Sequence, residues 1–150
     1  MVSCEAVLGG LGCVTDTGAV LSLPVGDQEL FELEVQPALA EGCGNPSCHG
    51  NQQRPLELYS VHQHRDDASL IHRDEPLSEP ELVANMQRAA AFLIEVDRAE
   101  DSPLLTKPLA PAAGGAEHEG NVQFEDRQEP GYQVLHSWAQ SVLAGTEELP

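Results

Sequence analysis

An all-α fold with long loops is what this sequence predicts, and three observations carry that expectation. Apolar residues recur at helical spacing in three separate stretches, no stretch alternates apolar and polar residues as a half-buried strand would, and the segments between are rich in Pro, Gly, Asn, Gln and Asp. No internal repeat is visible.

Residues 1–26 are apolar and Gly-rich without a helical period, and read as a flexible tether or lead-in to a domain over 27–150. Asp27 is a good N-cap, since its carboxylate can take up a free backbone N–H. Leu30, Phe31, Val35 and Leu39 then share one helical face, Pro37 is expected to bend or restart the helix, and Gly42 ends it just before Cys43. Residues 50–76 hold many Asn, Gln, His, Asp and Pro and read as a loop. A second helix follows Ser78 as N-cap. Pro80 sits in its first turn, Glu79 and Glu81 suit its positive end, and Leu82, Met86, Ala89, Ala90 and Leu93 form its buried stripe. Residues 97–128 contain Pro103, Pro108, Pro111 and Gly114-Gly115, which predicts a long loop with at most one turn near Leu104. The last helix is expected from about Glu129 to Leu143, ending at Gly145, with Tyr132, Leu135, Trp138, Ala139 and Val142 facing inward.

At 150 residues and 41% hydrophobic content the chain can build one core, yet only 4% of it is aromatic. A flat apolar cofactor would supply the missing bulk. Twenty-five acidic residues against seven basic ones give a net charge of −18, and no Lys or Arg precedes Arg54. Such a surface repels phosphate backbones and anionic lipid heads, so nucleic acid is not an expected partner; it suits basic proteins, or simply keeps an acidic protein soluble in salty water. No run approaches the roughly 18–20 apolar residues that span a bilayer. The sequence as it stands shows neither the basic n-region nor the apolar h-region of a signal peptide.

The chemistry is expected at Cys43-Gly-Asn-Pro-Ser-Cys48-His49-Gly50. Covalent haem attachment needs two thiols that can reach the two vinyl groups on one porphyrin edge, and a His beside the second thiol to sit under the iron. The usual spacing leaves two residues between the thiols, and here there are four. A longer loop can still bridge the vinyls. Three alternatives stay open on the residues alone. They are a Cys43–Cys48 disulfide, a zinc site from Cys43, Cys48, His62 and His64, and a pair of inert buried thiols.

A helix with Phe31, Val35 and Pro37 running into Cys-x4-Cys-His-Gly resembles the start of a class I cytochrome c domain. More narrowly, it is similar to the Cys-x4-Cys-His-Gly cytochrome-like domains of planctomycetes and related bacteria. Ser102-Pro103-Leu104-Leu105-Thr106-Lys107-Pro108 resembles their S-x-L-L-x-K-P stretch, and His118, Gly120, Phe124, Tyr132, Leu135 and Trp138 resemble their ending. The likeness spans about Asp27 to Gly145. It departs at Asn121, where a second Gly would stand, and in the His-rich segment around His62 to His72.

The resemblance implies a cytochrome c-like helical fold around one covalent haem c. Cys43 and Cys48 would be the thioether residues and His49 the proximal iron ligand. The distal ligand would come from the loop before the last helix, where His118 lies near Gly114, Gly115 and Gly120. Met86 is the alternative distal ligand, although a core Met fits its helical stripe better. His62, His64 and His72 read as solvated loop residues, and His136 as a polar-face position. Lys107 could pair with a haem propionate or stay solvated. Tyr132, Leu135 and Trp138 are expected to pack the last helix onto the first and onto the haem edge.

The function so implied is single-electron transfer between redox protein partners, basic ones suiting the net charge, with bis-His ligation and no substrate turnover. The alternatives are a haem enzyme or sensor with an open iron position, and a disulfide- or zinc-stabilised interaction module without haem. Haem is attached to such chains outside the bacterial cytoplasm, which implies export to the periplasm or cell envelope. With Met1 taken as a leucine decoded as a start, Met1-Val2-Ser3-Cys4 resembles the end of a lipobox, so Cys4 is a candidate lipid anchor; the alternatives are a Cys4–Cys13 pair or a free Cys4.

Overall fold

The structure is a computed structural model that describes residues 26–146. Almost all of the expected lead-in, with Cys4 and Cys13, lies outside them. The described residues form a helical molecule without a sheet, with two isolated bridges, Ser60 with His64 and Leu109 with Phe124.

The first helix, α1, is built of Gln28–Leu30, a π-helical turn Phe31–Val35, and Gln36–Gly42, which run on without a break. Asp27 caps it as expected, its Oδ1 accepting from Leu30 N at 2.9 Å. Pro37 does not restart the helix. A proline within a helix lacks an N–H and presses on the carbonyl four residues back. The preceding turn is widened, with the Gln36 N–H donating to Phe31 O, and this loosened register lets Pro37 enter near the start of the last segment.

Helix α2 (Glu79–Ala90) starts at Ser78 as expected. A short helix α3 (Pro103–Thr106) realises the single turn expected near Leu104, and α4 (Pro130–Thr146) carries the helical end of the chain through Gly145 rather than stopping there. Phe31, Val35 and Leu39 of α1 meet Met86, Ala89 and Ala90 of α2, and Tyr132, Leu135, Trp138, Ala139 and Val142 of α4, in one core. The Trp138 ring, fully buried, lies 5.0 Å from that of Phe31. Burying each such large side chain contributes about 2–3 kcal/mol.

The loop between α1 and α2 contributes more than the sequence indicates. Leu56, Leu58 and Tyr59 are buried, and the loop is locked by polar groups of α2. Asn85 accepts from Tyr59 N at 2.8 Å and donates to Tyr59 O at 2.8 Å and Gln36 Oε1 at 2.8 Å. Arg65, buried, donates through Nε and Nη2 to the two carboxylate oxygens of Glu81, each at 3.0 Å. Glu81 also accepts from Asp66 N at 3.0 Å and Ser78 N at 2.8 Å. Burial would raise the Glu81 carboxyl, but these donors outweigh it and bring it down to about 2. No helix among the described residues is long and apolar enough to cross a membrane.

Candidate functional site

Cys43 caps α1, its N–H donating to Leu39 O at 2.9 Å, and the next residues fold into a tight knot. Cys48 N and Gly50 N both donate to Asn45 O, at 2.8 and 2.9 Å, while His49 N returns to Cys43 O at 3.2 Å. Asn51 Nδ2 ties the knot further by donating to Pro46 O at 2.8 Å and Cys48 O at 2.9 Å. A Cβ on residue 50 would lie 2.1 Å from Gly44 O, so only glycine fits there. The four residues between the thiols are therefore taken up in a compact turn. Cys43, Cys48 and His49 line the wall of one cavity of about 580 Å³.

Neither thiol is in a disulfide. Burial, and then the neighbouring Cys48, push the Cys43 thiol up to about 11. The thiolate is the reactive form in disulfide exchange, so a protonated Cys43 closes such a bond slowly.

His49 Nδ1 lies 2.8 Å from Leu56 O. A carbonyl only accepts, so Nδ1 carries the proton and Nε2 keeps its lone pair, the tautomer and orientation a metal-bound imidazole needs. Burial first, and then His118 and Arg54, lower the pKa of His49 against the opposing Leu56 bond, which favours the neutral ring.

Across the cavity stands His118. The two imidazole planes are within 6° of parallel, with centroids 5.9 Å apart. A second cavity of about 760 Å³ shares Cys48, His49 and His118 with the first. Leu39, Leu56, Phe92, Leu104 and Leu135 give the space an apolar wall.

The other candidates fall elsewhere. Met86 is buried in the core among the helices and lines neither cavity, so it is not placed as the distal ligand. His62 is exposed and lies 3.3 Å from Asp74. His64 is not a solvated residue, because Glu57 holds its Nε2 at 2.8 Å and its ring stacks on Tyr59. No group of three His, Cys, Asp or Glu that could hold a metal ion occurs among the described residues. The zinc alternative needs four such side chains together, whereas a porphyrin iron takes four ligands from its macrocycle and needs only two from the protein. His136 sits partly covered beside Tyr132 and 3.6 Å from Glu100. Lys107 Nζ donates to Glu117 O at 2.7 Å. Leu135 reaches the cavity while Trp138 packs on α1, which divides the role expected of that stripe.

Sequence reasoning missed Leu56, whose carbonyl orients His49, and the Arg54–Glu119 ion pair at 3.2 Å across the mouth of the site. A main-chain acceptor leaves no mark in a sequence, and a pair 65 positions apart offers no local signal. Comparison with family models, curated proteins and solved structures finds no match.

Proposed function

We propose that this chain is a monohaem c-type cytochrome that passes single electrons between protein partners. The observation that carries the proposal is the gathering, around one cavity, of two parallel imidazoles with ring centres 5.9 Å apart and two free thiols on the wall beside them. Cys43 and Cys48 would hold the porphyrin by thioethers, His49 would ligate the iron on one side and His118 on the other. The residues fit the group. The wall is apolar, the thiols are unpaired and the His49 tautomer is fixed in the ligating form. A cytochrome c-like arrangement of the helices belongs to the same proposal.

Bound here, haem c would supply one-electron redox chemistry at iron. The chain's own contribution would be to fix the His49 imidazole through Leu56, to bring His118 to the same cavity, and to line that cavity with an apolar leucine wall. Bis-His ligation favours a lower potential than His/Met ligation. The net charge of −18 suits basic redox partners, and covalent haem attachment places the protein in the periplasm or cell envelope. No substrate-transforming group is assigned.

The test is an alkaline pyridine haemochrome spectrum of protein matured with a c-type assembly system. Two thioethers are expected, one in Cys48→Ala, and a high-spin iron in His118→Ala. A colourless product, or a Cys43–Cys48 disulfide in the matured protein, defeats the proposal. The exposure of His118 favours one second reading, a site that opens to exogenous ligands. Rapid carbon monoxide binding to the ferrous protein would support it.

A further inference from the structure

We propose that Arg54 and Lys107 are the positioning residues that hold the distal ligand over the site, and that the hold is set by ionic strength. This rests on the assignment of His118 as distal ligand. The loop that carries His118 is pinned at its base by main-chain bonds. Ala116 N donates to Thr106 O at 2.9 Å, Gln123 N to Pro108 O at 2.9 Å, and Ala110 N to Phe124 O at 2.9 Å. Between these pins, residues 117–122 are all exposed and make no main-chain hydrogen bond to the rest of the described chain.

Among the described residues, and apart from the His49 ring, the side chains that bond to that apex from elsewhere are two cations, one on each side of His118. Lys107 Nζ donates to the carbonyl of Glu117, and Arg54 Nη1 pairs with the carboxylate of Glu119. Arg54 belongs to the loop that follows His49, so its pair runs from the proximal wall to the distal one. These are two of only seven basic residues in a chain of net charge −18, and both line the larger cavity.

The Arg54 and Glu119 side chains are 43% and 85% exposed, so the pair is open to salt. Its release would leave the apex on Lys107 alone and free His118 to leave the site. The tether thus trades rigidity for an adjustable sixth position.

The experiment is cyanide binding to the ferric holoprotein, whose limiting rate at high cyanide reports departure of His118. Arg54→Gln is expected to raise that rate about two- to fivefold, and Arg54→Gln with Lys107→Met further. Arg54→Lys should bring the rate most of the way back to the wild-type value. Raising salt should accelerate the wild-type rate and leave the double variant flat, while Arg73→Gln, whose Glu75 partner lies away from the site, changes nothing. A haem-c-bearing, low-spin protein whose limiting rate ignores both substitutions and salt overturns the tether and leaves the cytochrome assignment standing. A colourless protein, or an iron already high-spin in the wild type, overturns the tether together with the reading beneath it.

Discussion

The two walls of the site are built by different means. The proximal wall, Cys43 to Tyr59, is knotted by main-chain bonds and backed by the buried Asn85, and the loop that continues from it is held by the buried Arg65–Glu81 pair. The apex of the distal wall, residues 117–122, is solvated backbone under two exposed cations. A side chain fixed through buried, fully partnered groups moves only when the fold opens, whereas one held by surface charges moves at little cost. On the proposed reading, covalent attachment and the proximal ligand would fall on the rigid side. Any exchange of ligand falls on the other.

The largest break in that contrast is expected from Glu81. Glu81→Ala leaves the Arg65 guanidinium buried without its carboxylate and should cost about 3–5 kcal/mol in urea unfolding. The wild type should show the same group in its acid response. Its carboxyl is held at about 2 from an ordinary 4.5, so it contributes order 3 kcal/mol that is fully present above pH 4.5 and is lost as pH falls toward 2. Glu81→Gln should flatten that window. An unchanged acid limb in the glutamine variant would mean that the network does not anchor the loop.

Next in size stand two glycines, one on each wall. A Cβ at residue 50 meets Gly44 O at 2.1 Å, and one at residue 115 meets Leu109 O at 1.8 Å. Both backbones must shift, at about 1–3 kcal/mol. Gly50→Ala deforms the thiol knot, so mass spectrometry of the matured protein should show incomplete haem attachment. Gly115→Ala deforms only the base of the distal loop. Its haemochrome should be normal while the iron turns partly high-spin. Identical behaviour of the two variants would erase the distinction between the walls.

How much of this was legible depends on how local each signal is. Asp27 and Ser78 could be recognised because a cap acts on its own helix, and the stripe from Tyr132 to Val142 because helical spacing alone puts those residues on one face. The pairing of His49 with His118 was expected from resemblance, and the structure brings their rings together. Arg65, Glu81, Asn85 and Gln36 lie outside every stripe expected to be buried, yet all four are buried. A polar side chain goes inside only when distant partners satisfy it, and sequence spacing does not show those partners. The widened turn at Phe31–Val35 escaped for a related reason, since Pro37 announces a disturbance without saying whether the chain bends or absorbs it.

The smallest effect is the most discriminating. Arg54 and Arg65 each pair with a glutamate at close range, 3.2 and 3.0 Å, and differ in burial, with side-chain exposures of 43% and 1%. Exposure lets water and ions replace a partner, so an exposed pair contributes under about 1 kcal/mol where a broken buried one costs several. Arg54→Gln should therefore leave the urea midpoint almost where it was, while Arg65→Gln lowers it strongly. The spectra should run the other way. Arg54→Gln shifts the spin equilibrium of the folded protein, and Arg65→Gln leaves it alone until the chain unfolds. If Arg54→Gln lowers the midpoint as far as Arg65→Gln does, the distal apex is part of the core's cooperative unit, and the distinction between a fixed wall and an adjustable one fails.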